Sequence, residues 1–190
     1  MSGELDQSGG AHRTDSRLPK STLWRLVFFL GVFAALQGLY GAAKGGWLEH
    51  LVIDKFTVQT AAWLIDTASP DVGVEPAGSR LKAPGGGINV LNGCEGMDVV
   101  FLLAAAMLVA PMSWRARLLG ILSGTLVVLL LNQARVIALF YAFRSDRSLF
   151  DVLHGVVSPL LLIVAAAMFF IEWLQHFGSS PTAAGNAIDD

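Results

Sequence analysis

Residues 118–143 read LLGILSGTLVVLLLNQARVIALFYAF, an apolar run holding a single cation, Arg135. As a helix rising 1.5 Å per residue it reaches about 39 Å, enough to cross a hydrocarbon layer of about 30 Å. Three further apolar runs accompany it. Residues 23–43 and 152–174 are long enough to span, and 97–111 becomes so if its helix starts at Cys94 and runs 94–114. The chain is 54% hydrophobic and 15% charged, against about a quarter charged in soluble domains, so lipid is its main solvent. The expected fold is an all-α polytopic membrane protein. About four transmembrane helices form a bundle, with an outer amphipathic helix and a small external β element. A single membrane-embedded domain would occupy 23–177. The polar ends, 1–22 and 178–190, are predicted to be disordered and cytoplasmic. A net charge of −2 offers nothing to a nucleic acid, and the partner implied by composition is the lipid bilayer.

Lys and Arg set the orientation. Arg13, Arg17, Lys20 and Arg25 lead into the first span, and Arg115 and Arg117 occupy the turn between the second and third. Placing both groups inside puts 44–93 outside, the beginning of the second span outside, and the beginning of the fourth outside. Trp24, Trp114 and Trp173 then lie at the inner interface and Trp47 at the outer one. Arg144 and Arg147 break the pattern, since they fall in an outer loop. Residues 47–67 carry an apolar stripe through Leu48, Leu51, Val52, Phe56 and Trp63. A fifth crossing there would invert everything after it. Glu49, His50, Asp54, Lys55 and Asp66 oppose a crossing, at about 2.5–3.5 kcal/mol for a mid-membrane charge. The reading adopted is a helix on the outer surface with that stripe against the bundle. From Asp71 to Asn92, prolines and the Gly85-Gly86-Gly87 run punctuate short apolar pieces. Strands are expected near 72–75, 79–82 and 87–91.

Cys94 is the only cysteine, which excludes an internal disulfide and a cysteine-rich zinc site. It stands in Asn92-Gly93-Cys94-Glu95-Gly96, where the second span begins. In the first turn of a helix a thiol faces unpaired amides and the positive end of the dipole, and both favour thiolate. The alternative is a small packing residue in a turn. Arg135 lies about 26 Å from the start of its helix, on the outer side. It is either a functional cation or one that snorkels to headgroups. Asn132, one turn earlier on the same face, either orients the guanidinium or bonds between helices. His154 opens the fourth span at the same depth, whereas His12, His50 and His176 fall elsewhere. Asp98 lies one turn beyond Cys94. A carboxylate so near would oppose a thiolate unless paired, and Arg135 or His154 is its expected partner. Glu95 is expected to point elsewhere, about 100° around the helix. The histidines show no metal-ligand spacing, so neither metal nor cofactor is expected. Brought together, Cys94 would attack a carbonyl, His154 exchange protons and Arg135 stabilise the oxyanion.

These residues resemble the exosortase/archaeosortase family of membrane-embedded cysteine transpeptidases. The likeness is carried by Cys94-Glu95-Gly96 at the start of a span, Asn132-Gln133-Ala134-Arg135-Val136 within the next, and His154 at the last. It covers about 56–174, including Thr60-Ala61-Ala62. Glu95 departs from the Ser or Ala usual after the cysteine, which points to a subfamily, M-like in type. The resemblance implies catalytic Cys94, Arg135 and His154, supported by Asn92, Gly96, Asp98 and Asn132. It also implies a bacterial inner membrane and exported protein substrates bearing a C-terminal sorting signal. That signal is a short motif, a transmembrane segment and a basic cluster. The competing class is a non-enzymatic assembly or export subunit in which Cys94 only packs.

Overall fold

The computed structural model describes residues 19–91 and 93–178. Asn92 and the polar ends 1–18 and 179–190, with the disorder expected of those ends, lie outside the described residues. Helix α1 spans Lys20–Ala42. Helix α2 follows over residues 47–68. Its ends are α-helical, but His50–Gln59 winds in wider turns, with bonds to the fifth residue back. A three-stranded antiparallel meander comes next: β1 (Glu75–Ala77), β2 (Arg80–Lys82) and β3 (Ile88–Asn89), paired in the order β1-β2-β3. Helix α3 is Met97–Val109 and α4 is Trp114–Ser145. The last, α5, runs Arg147–Phe177 and widens in the same manner over Leu153–Val157.

Helices α1, α4 and α5 are long and apolar enough to cross a membrane. Helix α3 has 13 residues, so it is about 20 Å long and some 10 Å short of the hydrocarbon layer. It begins at Met97, not at Cys94. Irregular backbone of the kind that precedes it is tolerated at membrane depth only where protein surrounds it. Leu26, Phe28, Leu122, Leu126, Leu160 and Leu161 are all half-exposed or nearly so. In water that would be a fault; around a membrane bundle it is the surface that meets lipid.

Two cores hold the chain together. One lies at the end of the bundle that carries the sheet. Ile53, Val58, Ala61 and Ile65 of α2 meet Leu81 and Ile88 of the sheet and Val136, Leu139 and Phe140 of α4. The other joins α3, α4 and α5 through Val100, Leu103, Met107, Val128, Leu162 and Ala166. Gly120 and Gly124, one turn apart on α4, let this core close. A β carbon at Gly124 would lie 2.5 Å from Leu103 and 2.7 Å from Phe169, and one at Gly120 would lie 2.6 Å from Trp173. Small residues four apart are how membrane helices approach closely.

The stripe expected to pack α2 onto the bundle does not do so. Phe56 and Trp63 are 63% and 64% exposed, and the packed face is Ile53, Thr57, Val58, Ala61, Ala62 and Ile65. The wide turns explain the difference, because they shift the faces away from the ordinary 3.6-residue period. Gln133 of α4 anchors the helix by donating to the Phe56 carbonyl at 2.6 Å. Arg144 and Arg147, which broke the charge pattern, have local work. Arg144 donates to the Pro84 carbonyl at 2.7 Å, and Arg147 lies over the Phe143 ring at 4.7 Å. At the opposite end Arg117 donates to the Ala110 carbonyl and Trp173 to that of Ala116, which closes the basic turn.

Candidate active site around Cys94

Two glycines with positive φ, Gly93 and Gly96, shape the turn that carries Cys94. Gly96 caps α3 at φ +82, and the amides of Val99 and Val100 bond back to its carbonyl. A side chain at Gly96 would press on Asn132, with contacts of 3.1–3.2 Å. The Cys-x-Gly and Asn-x-x-Arg stretches are thus two halves of one contact, with the glycine backbone seated on the asparagine.

The Cys94 sulfur lies 4.0 Å from Nδ1 of His154, at the outer limit of a sulfur hydrogen bond. The histidine sits in the wide-turned stretch of α5, and its ring stacks on Phe150 with centroids 5.3 Å apart and planes 4° from parallel. Phe150 in turn meets Phe143 edge-on, so the imidazole is held by an aromatic wall. Arg135 is 9% exposed, and its Nε has no hydrogen-bond partner among the described residues. Its charge reaches the Cys94 thiol. Beside it a groove of about 410 Å³ runs between α4 and α5, lined by Ala134, Ala138, Leu153, Ser158 and Leu161 among others.

Two expectations need correction. Cys94 precedes the α3 cap, so it is not in the first helical turn and is not bathed in that helix's free amides. Burial pushes its thiol up from the ordinary value; Arg135 and a backbone contact with Leu91 pull it back only in part. Asp98 pairs with neither Arg135 nor His154. It accepts from Gln37 of α1 at 2.9 Å, because its position on α3 faces α1 while Arg135 and His154 belong to α4 and α5. Glu95 turns toward α1, where it lines a cavity of about 170 Å³ with Gln37, Tyr40 and Asp98. It is 1% exposed, and one of its oxygens has no partner. Burial raises its carboxyl, while backbone amides counter that rise. Its departure from the usual Ser or Ala was the signal of a special environment. Asn92 lies outside the described residues.

Buried polar atoms without partners are rare in folded proteins. Among the described residues six are found, and four of them surround this turn: Tyr40 Oη, Glu95 Oε2, Asn132 Oδ1 and Arg135 Nε. The others are Arg117 Nε and Gln133 Oε1. A thiol, an imidazole and a buried guanidinium with a free donor are the parts of a cysteine acyl-transfer centre.

No curated protein and no solved structure matches the chain. The family model described as transmembrane exosortase matches residues 19–171. That match takes in α1 and every element of the site, so the chain belongs to the transmembrane exosortase family.

Proposed function

We propose that this protein is a membrane cysteine peptidase and transpeptidase that cleaves exported proteins at a C-terminal sorting signal. Cys94 is the nucleophile, His154 moves the protons and Arg135 stabilises the oxyanion. The observation that carries this reading is the 4.0 Å approach of Cys94 Sγ to His154 Nδ1 beside a buried Arg135 with an unmet donor. The thiol is raised, so it rests protonated and is deprotonated by His154 as it attacks the peptide carbonyl. The carbonyl oxygen gains the electron pair and takes a hydrogen bond from Arg135. The C–N bond then breaks, the imidazolium protonates the departing amine, and a thioester remains on Cys94. Water or an acceptor amine releases the acyl group.

Asp98, Asn132 and Gly96 have positioning roles in this reading. Asn132 seats Gly96, and Asp98 ties the start of α3 to α1. The basic turn at Arg115 and Arg117 supports an orientation with the Cys94 end facing the periplasm and both termini in the cytoplasm of a bacterial inner membrane. A thiol at the start of the short α3 suits a substrate that is itself anchored by an apolar segment.

One observation favours the competing reading of a non-enzymatic assembly or export subunit. Cys94 packs against the sheet-end core, and burial disfavours its thiolate. The deciding experiment is processing, in cells, of a secreted reporter ending in the short motif, apolar segment and basic cluster. Cys94→Ala, Arg135→Ala and His154→Ala are each expected to abolish processing while the protein still accumulates in the membrane. Normal processing with Cys94→Ala would sink the proposal and favour the packing role.

A further inference from the structure

The groove of about 410 Å³ between α4 and α5 lies open on the outside of the bundle. From α4 it takes Leu131, Ala134, Arg135 and Ala138, one helix face at spacings of three and four. From α5 it takes Leu153 and Ser158. These stand five apart yet share a face, because the wide turns over Leu153–Val157 lengthen the period there. The α5 lining continues to Ala165, so the groove runs about 18 Å along the helix. Leu131, Ala134, Ala138 and Leu161 are all exposed, and α1 packs on α3 instead of covering them.

A bilayer offers such a groove two kinds of neighbour, a lipid chain and another helix. Elsewhere α4 meets lipid with large side chains: Leu119, Leu122, Leu126 and Leu130 are exposed. Here alanines take their place, and Ala134 and Ala138, four apart, let a second backbone approach closely. Arg135 is an independent sign of what that backbone brings. It lines the groove, is 9% exposed, and its Nε lacks a partner among the described residues. A buried cation of this kind is costly unless something accepts from it. An acyl chain has no acceptor, whereas a peptide has a carbonyl at every residue. Inside a helix those carbonyls are already bonded, so the free ones belong to the chain that leads into it.

We propose that the α4–α5 groove is the docking site for the transmembrane segment of the substrate, seated on Ala134 and Ala138, with the peptide that leads into the segment crossing Arg135. The inference rests on the cysteine acyl-transfer reading above. The groove is continuous with that site: Arg135 belongs to both, Leu153 is the chain neighbour of His154, and Leu153 and Cys94 pack against the same core. The docked helix lies toward the Ala165 end, and its leading peptide passes toward Leu153. A substrate held in this way enters sideways from the lipid and is cut just before its apolar segment. The groove then selects by shape, favouring a segment with small residues on the face that meets the two alanines.

Cys94 is the only cysteine, so Cys94→Ala leaves a cysteine-free chain for cross-linking. The probe is the secreted reporter described above, with single cysteines placed in turn along the apolar segment. It is expressed with Cys94→Ala/Ala138→Cys, and the membranes are oxidised with copper phenanthroline. Disulfides to the reporter should peak about every three to four residues, as one helix face meets the groove. Cys94→Ala/Ala167→Cys, exposed on another face of α5, should give none. With Cys94 intact, Ala134→Leu and Ala138→Leu should each slow processing about tenfold or more, as overpacking of a close contact does, with Tm within about 2 °C of wild type. Ala167→Leu should process normally. Disulfides between two copies at Ala138→Cys would assign the groove to a second copy. Bound phospholipid with no reporter disulfide at any position would assign it to lipid. Either result overturns the proposal, as does normal processing in both alanine variants. Reporter disulfides without Cys94-dependent processing would overturn the catalytic reading and leave the docking site standing.

Discussion

Replacing Gly96 by alanine tests the contact on which the site is built. Gly96 holds φ +82, a left-handed conformation that costs an L side chain about 1–2 kcal/mol. Its new β carbon would lie 3.1 Å from Asn132 Cγ and 3.2 Å from both Cβ and Oδ1, whereas well-packed carbons sit about 3.5–4.0 Å apart. Asn132 is 1% exposed in the middle of α4, so it has no space to retreat into. Overpacking of this kind adds about 1–3 kcal/mol. The sum is about 2–5 kcal/mol. Asn132→Ala removes Cγ and Oδ1 and leaves only the Cβ contact. In that background Gly96→Ala should cost the backbone part, about 1–2 kcal/mol, plus what the remaining 3.2 Å contact with Cβ adds. The two substitutions should therefore couple by about 1–2 kcal/mol in a double-mutant cycle. The assay is thermal unfolding of the four proteins in nanodiscs. At about 2–4 °C per kcal/mol for a chain of this size, Gly96→Ala should lower Tm by roughly 4–20 °C. A Tm within 2 °C of wild type, or strictly additive effects, would refute the steric argument.

Other outcomes follow from the same geometry. Maleimide labelling of Cys94 against pH should show a midpoint above the free-thiol value of about 8.5, since burial outweighs Arg135; a midpoint below that value would count against a resting thiol. Arg135→Ala removes a cation that favours thiolate, so the midpoint should move further up, with labelling at neutral pH falling about tenfold for each unit. Glu95 has a raised carboxyl in the fold, so it binds its proton more tightly folded than unfolded. Its contribution to stability is full below the unfolded value of about 4.3 and is lost as pH rises toward the folded value. Glu95→Gln should flatten that limb of Tm against pH, and an unchanged limb would show that another group causes it. Gly124→Val would force side-chain atoms into Leu103 and Phe169 and should destabilise by about 1–3 kcal/mol or more, whereas Gly155→Ala, with open space around it, should leave Tm nearly unchanged.

The long apolar runs were legible because lipid leaves few solutions: a crossing backbone must satisfy itself, and the helix is the simplest way. The meander was legible from its prolines and glycines. The meeting of Cys94 and His154 was legible at the level of depth, since charge bias alone put both at one end of the bundle. What sequence periodicity did not reveal was which face of each helix finds a partner. Trp63 and Phe56 look like anchors by hydropathy. In a membrane-facing helix they are as content outside as in, and the small Ala61 and Ala62 make the close contact. Asp98 presented the same difficulty, because its partner Gln37 lies 61 residues away on a helix whose packing no local pattern encodes.

Glu95 shows most clearly where a local rule fails and why. Helical spacing from Cys94 would turn it about 100° away from the thiol. That geometry presumes a helix already formed at Cys94, and the helix begins only at Met97. Before it, the left-handed glycines at 93 and 96 reset the direction of each side chain, so adjacent residues are sent to opposite sides of one turn. The thiol faces His154 across 4.0 Å, and the carboxylate is driven under α1 beside Tyr40. Both glycines are therefore needed for two reasons at once: Gly96 to seat on Asn132, and the pair to divide the turn. A thiol set before the helix start forgoes the free amides of α3's first turn and lies instead 4.0 Å from His154. The fold has kept the less acidic thiol and set a histidine beside it.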